Sequence, residues 1–119
     1  MRIAIRADAA MALGSGHVMR CLALADGLHA RGARLTFLCA ALAPSLEQLI
    51  RAHGHEVIRL PAGPALATEA SWPLQAQGAD AQACLQALGG SPAWDWLVVD
   101  HYGLGPPWET AMRAATHRL

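Results

Sequence analysis

The side chains able to do chemistry cluster in two short stretches of an otherwise Ala- and Leu-rich chain. The first runs from Arg6 and Asp8 to Gly14-Ser15-Gly16-His17. The second is Asp100-His101-Tyr102-Gly103. Gly14 and Gly16 permit a tight turn and a close approach of ligand to backbone. His17 falls at the first turn of an expected helix, whose free N–H groups and partial positive charge suit an anion. The same field favours a neutral imidazole, the form that acts as a base. Two alternatives fail on spacing. Position 19 is Met where a dinucleotide fingerprint needs its third Gly, and Leu38-Cys39-Ala40 supplies no acid for a ribose hydroxyl. Gly14-Ser15-Gly16 also lacks the Gly-x-Ser-x-Gly spacing of a hydrolase nucleophile elbow.

Each candidate has a plainer role beside the chemical one. Arg6 and Asp8 could pair to rigidify the first loop or contact substrate. Asp100 could cap a helix or brace a loop, and Tyr102 could be half-buried packing. His53 and His55 form a His-x-His with no third ligand close in sequence, so no metal site is expected. His29 and His117 read as surface residues. Trp72, Trp94, Trp96 and Trp108 read as packing, with Trp72 also placed to line a cleft.

Positioning the two stretches requires alternating strands and helices. Arg2 to Ala7 reads as a strand. From His17 to about Ala30, Val18, Cys21, Leu22, Ala25 and Leu28 recur at helical spacing, and Gly32 sits where a helix-terminating glycine would. Leu35 to Ala40 is a second strand, Pro44 to His53 a helix with Pro44 near its first turn, and His55 to Leu60 a third strand. Glu56 and Arg59 put that third strand near a sheet edge. Residues 61 to 73 read as loop, and Asp80 to Leu88 as helix. Trp94 to Asp100 suits a central strand buried on both faces. Pro106 or Pro107 opens a last helix running to about Ala115, and His117-Arg118-Leu119 begins a strand.

This alternation predicts an α/β fold with a doubly wound parallel sheet and right-handed crossovers. In such sheets ligands bind outside the carboxyl ends of the strands, where strand order reverses. With the order 3-2-1-4-5, the loops after strands 1 and 4 converge on one cleft. A strand of about three residues is short against the usual ~5–6, so the chain is expected to be part of a longer protein.

Composition bounds the rest. The chain has 119 residues, more than half hydrophobic, with a formal net charge of zero. That predicts one packed domain and no nucleic-acid surface. All nine cationic side chains are Arg, so no Lys Schiff base or Walker lysine exists. Three cysteines without a Cys-x-x-Cys pair fit a reduced, cytoplasmic setting. No apolar run is long enough for a membrane span.

Arg6-x-Asp8, Gly14-Ser15-Gly16-His17, Arg20-Cys21-Leu22-x-Leu24-Ala25, Val99-Asp100-His101-Tyr102-Gly103-Leu104 and Trp108-Glu109 occur in order along the chain. Together they resemble the PseG family, the UDP-2,4-diacetamido-2,4,6-trideoxy-β-L-altropyranose hydrolases of pseudaminic acid biosynthesis. The glycine-histidine loop alone is also similar to MurG-type glycosyltransferases. The resemblance implies the Rossmann-like N-terminal half of a GT-B fold. It implies that a separate C-terminal domain, beyond this chain, holds most of the UDP. It also implies inverting, metal-independent hydrolysis without a cofactor. His17 would be the general base that activates water, and Tyr102 would position sugar or water. Gly14, Ser15, Gly16, Arg6, Asp8, Asp100 and His101 would contact the UDP-sugar. A glycosyltransferase using the same donor, or a non-catalytic nucleotide-sugar binding domain, are the alternatives. Nothing in residues 61 to 90 matches a family motif.

Overall fold

The computed structural model describes residues 1–9, 16–62, 72–89 and 94–119. Among the described residues nine elements follow one another: β1 (Arg2–Ala7), α1 (Gly16–His29), β2 (Arg34–Cys39), α2 (Pro44–Ala52), β3 (Glu56–Arg59), α3 (Leu74–Leu88), β4 (Trp94–Asp100), α4 (Pro106–Met112) and β5 (Thr116–Arg118). The strands form one sheet in the order β3-β2-β1-β4-β5, and every pairing is parallel. The fold is α/β, a Rossmann-like doubly wound sheet compatible with the N-terminal half of a GT-B fold. As expected, β3 lies at an edge, and strand order reverses between β1 and β4.

Alternation along β1 divides the core in two. Ile3, Ile5 and Ala7 join Val18, Cys21, Leu22 and Ala25 of α1, Phe37 and Cys39 of β2, and Ile50 of α2. Ala4 joins Leu38 and Leu97, with Ala81, Cys84 and Leu88 of α3 and Trp108 and Met112 of α4. Helices α1 and α2 therefore cover one face, and α3 and α4 the other. Each fully buried Leu, Ile or Val contributes about 1.5–3 kcal/mol to this arrangement. Gly32 closes the turn after α1 at φ 95, in the left-handed region that glycine enters at no steric cost. Its N–H donates to the His29 carbonyl at 2.9 Å.

Two elements depart from the sequence reading. Helix α3 begins at Leu74, not near Asp80. Pro73 serves as its N-cap, and the added turn is built of Leu, Gln and Ala, good helix formers that outweigh Gly78. Strand β4 is internal, but it is not buried on both faces. Leu97 is buried, whereas Val98 and Val99 are half-buried and Trp96 is 38% exposed, its ring 5.5 Å from the Arg118 guanidinium.

Candidate active site

The pleat sets which way each strand end points. Ala7 and Asp100 are register partners on adjacent strands, so Asp100 leaves β4 on the same face as Ala7, beneath α1. Helix α1 answers with His17, Arg20 and Cys21, at i, i+3 and i+4 and hence on one side of the helix. His17 Nδ1 lies 2.7 Å from Asp100 Oδ1. Arg20 donates to Asp100 Oδ2 from Nη2 at 2.7 Å and from Nε at 3.2 Å. The Cys21 thiol reaches the same oxygen at 3.7 Å. Tyr102, nearly half exposed, sets its ring edge-on to His17 with centroids 4.8 Å apart.

These distances assign the protons. A carboxylate only accepts, so the short contact requires N–H on His17 Nδ1. Nε2 then carries the lone pair, and it makes no hydrogen bond to any described residue. Burial pushes the Asp100 carboxyl up, but the hydrogen bonds from Arg20 and His17 outweigh it and hold the group below its ordinary value. Asp100 is therefore ionised at neutral pH. An oriented imidazole whose other nitrogen bonds to no described residue, backed by a carboxylate and flanked by a phenol, is a general-base arrangement. Cys21 is no competing nucleophile, since burial pushes its thiol up to about 12.

Behind this pair, on the opposite face of the sheet, lies a second charged cluster. Arg6 is fully buried. It donates to Asp80 from Nε at 3.1 Å and from Nη2 at 2.6 Å, to Asp8 from Nη1 at 2.6 Å, and to the Leu38 carbonyl at 3.3 Å. Trp108 Nε1 also donates to Asp80, at 2.9 Å. Asp8 receives the backbone N–H groups of Ala40 and Ala41 as well, at 2.8 and 3.2 Å. Burial alone would raise the Asp8 carboxyl, but His101 and Arg6 hold it well below the usual carboxylate range.

His17, Asp100 and Tyr102 come together at the cleft, and Asp8 and His101 line the same small pocket. Arg6 is fully buried and does not line it. Arg6 has no exposed surface and its donors are engaged, while the Asp8 and His101 side chains are 1% and 2% exposed, with their polar atoms hydrogen-bonded within the protein. The pairing of Arg6 with Asp8 is the role they show. Gly14 and Ser15 lie outside the described residues. Gly16 opens α1, and an added Cβ there would meet no atom of the described residues within 4 Å.

Two participants were not singled out from the sequence as site residues. Arg20 had a local signal, its i+3 spacing from His17. Asp80 had a weaker one, an acid on the buried stripe of α3 with Ala81, Cys84 and Leu88. Trp72, read from the sequence as packing that also lines a cleft, is buried against the 101–103 turn with its ring edge-on to His101 at 4.7 Å, and it lines a pocket with Pro61, Ala76 and Asp80 beside α3. His53 and His55 both bond to Asp26, at 2.8 Å each. Among the described residues no group of His, Cys, Asp and Glu is arranged to hold a metal ion, no helix is long and apolar enough to cross a membrane, and Cys21, Cys39 and Cys84 are free thiols.

Compared with known proteins, the chain matches no family model, no curated protein and no solved structure.

Proposed function

We propose that this domain takes part in hydrolysis of a UDP-activated 2,4-diacetamido-2,4,6-trideoxyhexose to the free sugar and UDP, as the sequence resemblance to the PseG family implies. The observation that carries the reading is the His17–Asp100 hydrogen bond at 2.7 Å, made through Nδ1 so that Nε2 is left as the base. Water bound at Nε2 attacks the anomeric carbon from the face opposite UDP. The carbon–oxygen bond to the diphosphate breaks with its electron pair, the water proton passes to Nε2, and configuration inverts. UDP leaves already stabilised as an anion, so the step does not depend on a strong general acid. Asp100 stabilises the imidazolium that forms, and Tyr102 positions water or sugar beside it. In this reading the UDP rests on a C-terminal domain, and the reaction is cytoplasmic.

The test uses the protein with both domains and the UDP-activated sugar, with no acceptor added. UDP release is expected. His17→Ala should lower that rate ~10²–10⁴-fold, the usual contribution of a general base. A change of only a few-fold would remove His17 from the chemistry. UDP release that appears only with an acceptor would make the protein a glycosyltransferase. Robust turnover by residues 1–119 alone would refute the two-domain reading.

A further inference from the structure

His101 sits next to the exposed Tyr102 yet is itself buried, and both of its ring nitrogens are committed. Nδ1 lies 2.9 Å from the backbone N of Gly103, and Nε2 lies 2.8 Å from Asp8 Oδ2. A backbone N–H can only donate, so Nδ1 must carry the lone pair. A carboxylate can only accept, so Nε2 must carry the proton. The two contacts demand the same tautomer, and neither survives in the other one. The turn is held elsewhere too. Trp72 N–H donates to the Gly103 carbonyl at 2.9 Å, and Gly105 N–H donates to Gln77 Oε1 at 3.0 Å. Gly103 is pressed so closely on the Trp72 indole that an added Cβ would lie 2.5 Å from Nε1. Between these fastened neighbours stands Tyr102, whose ring meets His17.

We propose that Asp8 and His101 form a positioning couple for the candidate active site. Asp8 fixes the His101 tautomer, that tautomer holds the Gly103 N–H, and the fastened turn presents Tyr102 to His17. Neither residue touches substrate. Asp8 is itself fixed by Arg6 and by the backbone at the end of β2, so the couple ties the tip of β4 to the tips of β1 and β2. The tie to catalysis rests on the hydrolase reading above; the positioning of Tyr102 can be tested without it.

Two substitutions separate the halves of the couple. In His101→Asn the amide oxygen can stand near the Nδ1 position and still accept from Gly103, but the reach to Asp8 is lost. In His101→Gln the amide nitrogen can stand near the Nε2 position and still donate to Asp8, but the acceptor for Gly103 is lost. The readouts are the ¹⁵N signals of the His101 ring, amide exchange at Gly103, and the nuclear Overhauser contact between the Tyr102 and His17 rings. The wild type should show protonated Nε2 and bare Nδ1. His101→Gln should exchange the Gly103 amide roughly tenfold faster, the loss expected for one hydrogen bond, and weaken the ring contact. His101→Asn should retain most of both. With substrate, His101→Gln should lower kcat with little change in KM. A wild-type proton on Nδ1, or a His17–Tyr102 contact unchanged in the folded His101→Gln protein, would overturn the proposal. If the UDP-sugar is not hydrolysed at all, the hydrolase reading fails while the spectroscopic outcome still decides the positioning.

Discussion

Replacing Asp100 by Asn tests the proton assignment at the candidate active site. The two side chains are nearly isosteric, but an amide has one accepting and one donating end. Asp100 has two kinds of neighbour. Arg20 brings two N–H groups to Oδ2 and the Cys21 thiol a third donor, while His17 faces Oδ1. Arg20 can only donate, so in Asp100→Asn the new amide must turn its oxygen toward Arg20 and its NH₂ toward His17. The opposite orientation would set NH₂ against a guanidinium and forfeit two charge-assisted hydrogen bonds. Such charge-assisted bonds are strong where water is excluded. Arg20 is 66% exposed, so water replaces much of that strength. The preference keeps its sign, because only the amide oxygen can accept from the guanidinium. An NH₂ facing Nδ1 requires a bare Nδ1, which moves the His17 proton to Nε2 and removes the base. Loss of the carboxylate also removes the partner of the imidazolium. The combined loss should fall within the ~10²–10⁴-fold range of a general base. The assays are UDP release and the ¹⁵N signals of the His17 ring. A ring still protonated at Nδ1, or a rate within a few-fold of wild type, would refute the reasoning.

Other consequences are open to simpler measurements. Arg6→Met would leave the Asp8 and Asp80 carboxylates buried without their cation; a cost of about 3–5 kcal/mol is expected, read as a large fall in the urea midpoint, and a near-wild-type midpoint would mean that water reaches this cluster. The Asp8 carboxyl is depressed in the folded state relative to ~3.9 in the unfolded chain, so its stabilisation is complete above that value and is lost as pH falls below it. Thermal midpoints should therefore drop steeply once pH goes below about 4, and a midpoint that held there would contradict the buried ion pair. Burial pushes the Cys21 and Cys39 thiols up to about 12 and Cys84 higher still. A thiol reagent at about pH 8 should leave the native protein unlabelled and titrate all three only in denaturant; fast labelling of Cys21 would show that the His17 end of α1 opens.

Much of this fold was legible because hydrophobic periodicity is a local signal. Val18, Cys21, Leu22 and Ala25 announced α1, and the charges at Glu56 and Arg59 announced an edge strand. The meeting of the loops after β1 and β4 followed from topology alone. Long-range pairing was not legible. Arg6 and Asp80 stand 74 positions apart, and nothing near either one names the other. The start of α3 was lost because Pro61, Gly63, Pro64 and Pro73 read as one loop, although Pro73 suits a position just before a helix. His101 was read as a substrate contact from its place in the Asp100-His101-Tyr102-Gly103 motif, and its hydrogen bonds to Asp8 and Gly103 were not legible there. Successive residues at the end of a strand point to opposite faces, so the neighbour of an exposed functional residue is often the one that anchors it.

The same alternation explains why two aspartates at neighbouring strand ends do different work. Asp8 lies on the Arg6 side of β1, and Asp100 lies on the Ala7 side of its register partner. Asp8 and Asp80 share one fully buried cation, and the cluster is completed by backbone, Trp108 and a neutral His101. Every carboxylate oxygen in it accepts at least one hydrogen bond and its side chains are at most 5% exposed, so it holds the strand tips together. Asp100 shares an exposed cation, Arg20, and a half-buried imidazole whose Nε2 bonds to no described residue. With Asp100 ionised, Arg20 charged and His17 neutral, that cluster carries no net charge. When His17 takes a proton, the cluster gains one positive charge at the cleft. In the proposed reaction this happens as the diphosphate departs with its negative charge. The proton transfer that makes water a nucleophile therefore also improves the field for the leaving group, a coupling that the buried pair on the other face of the sheet could not provide.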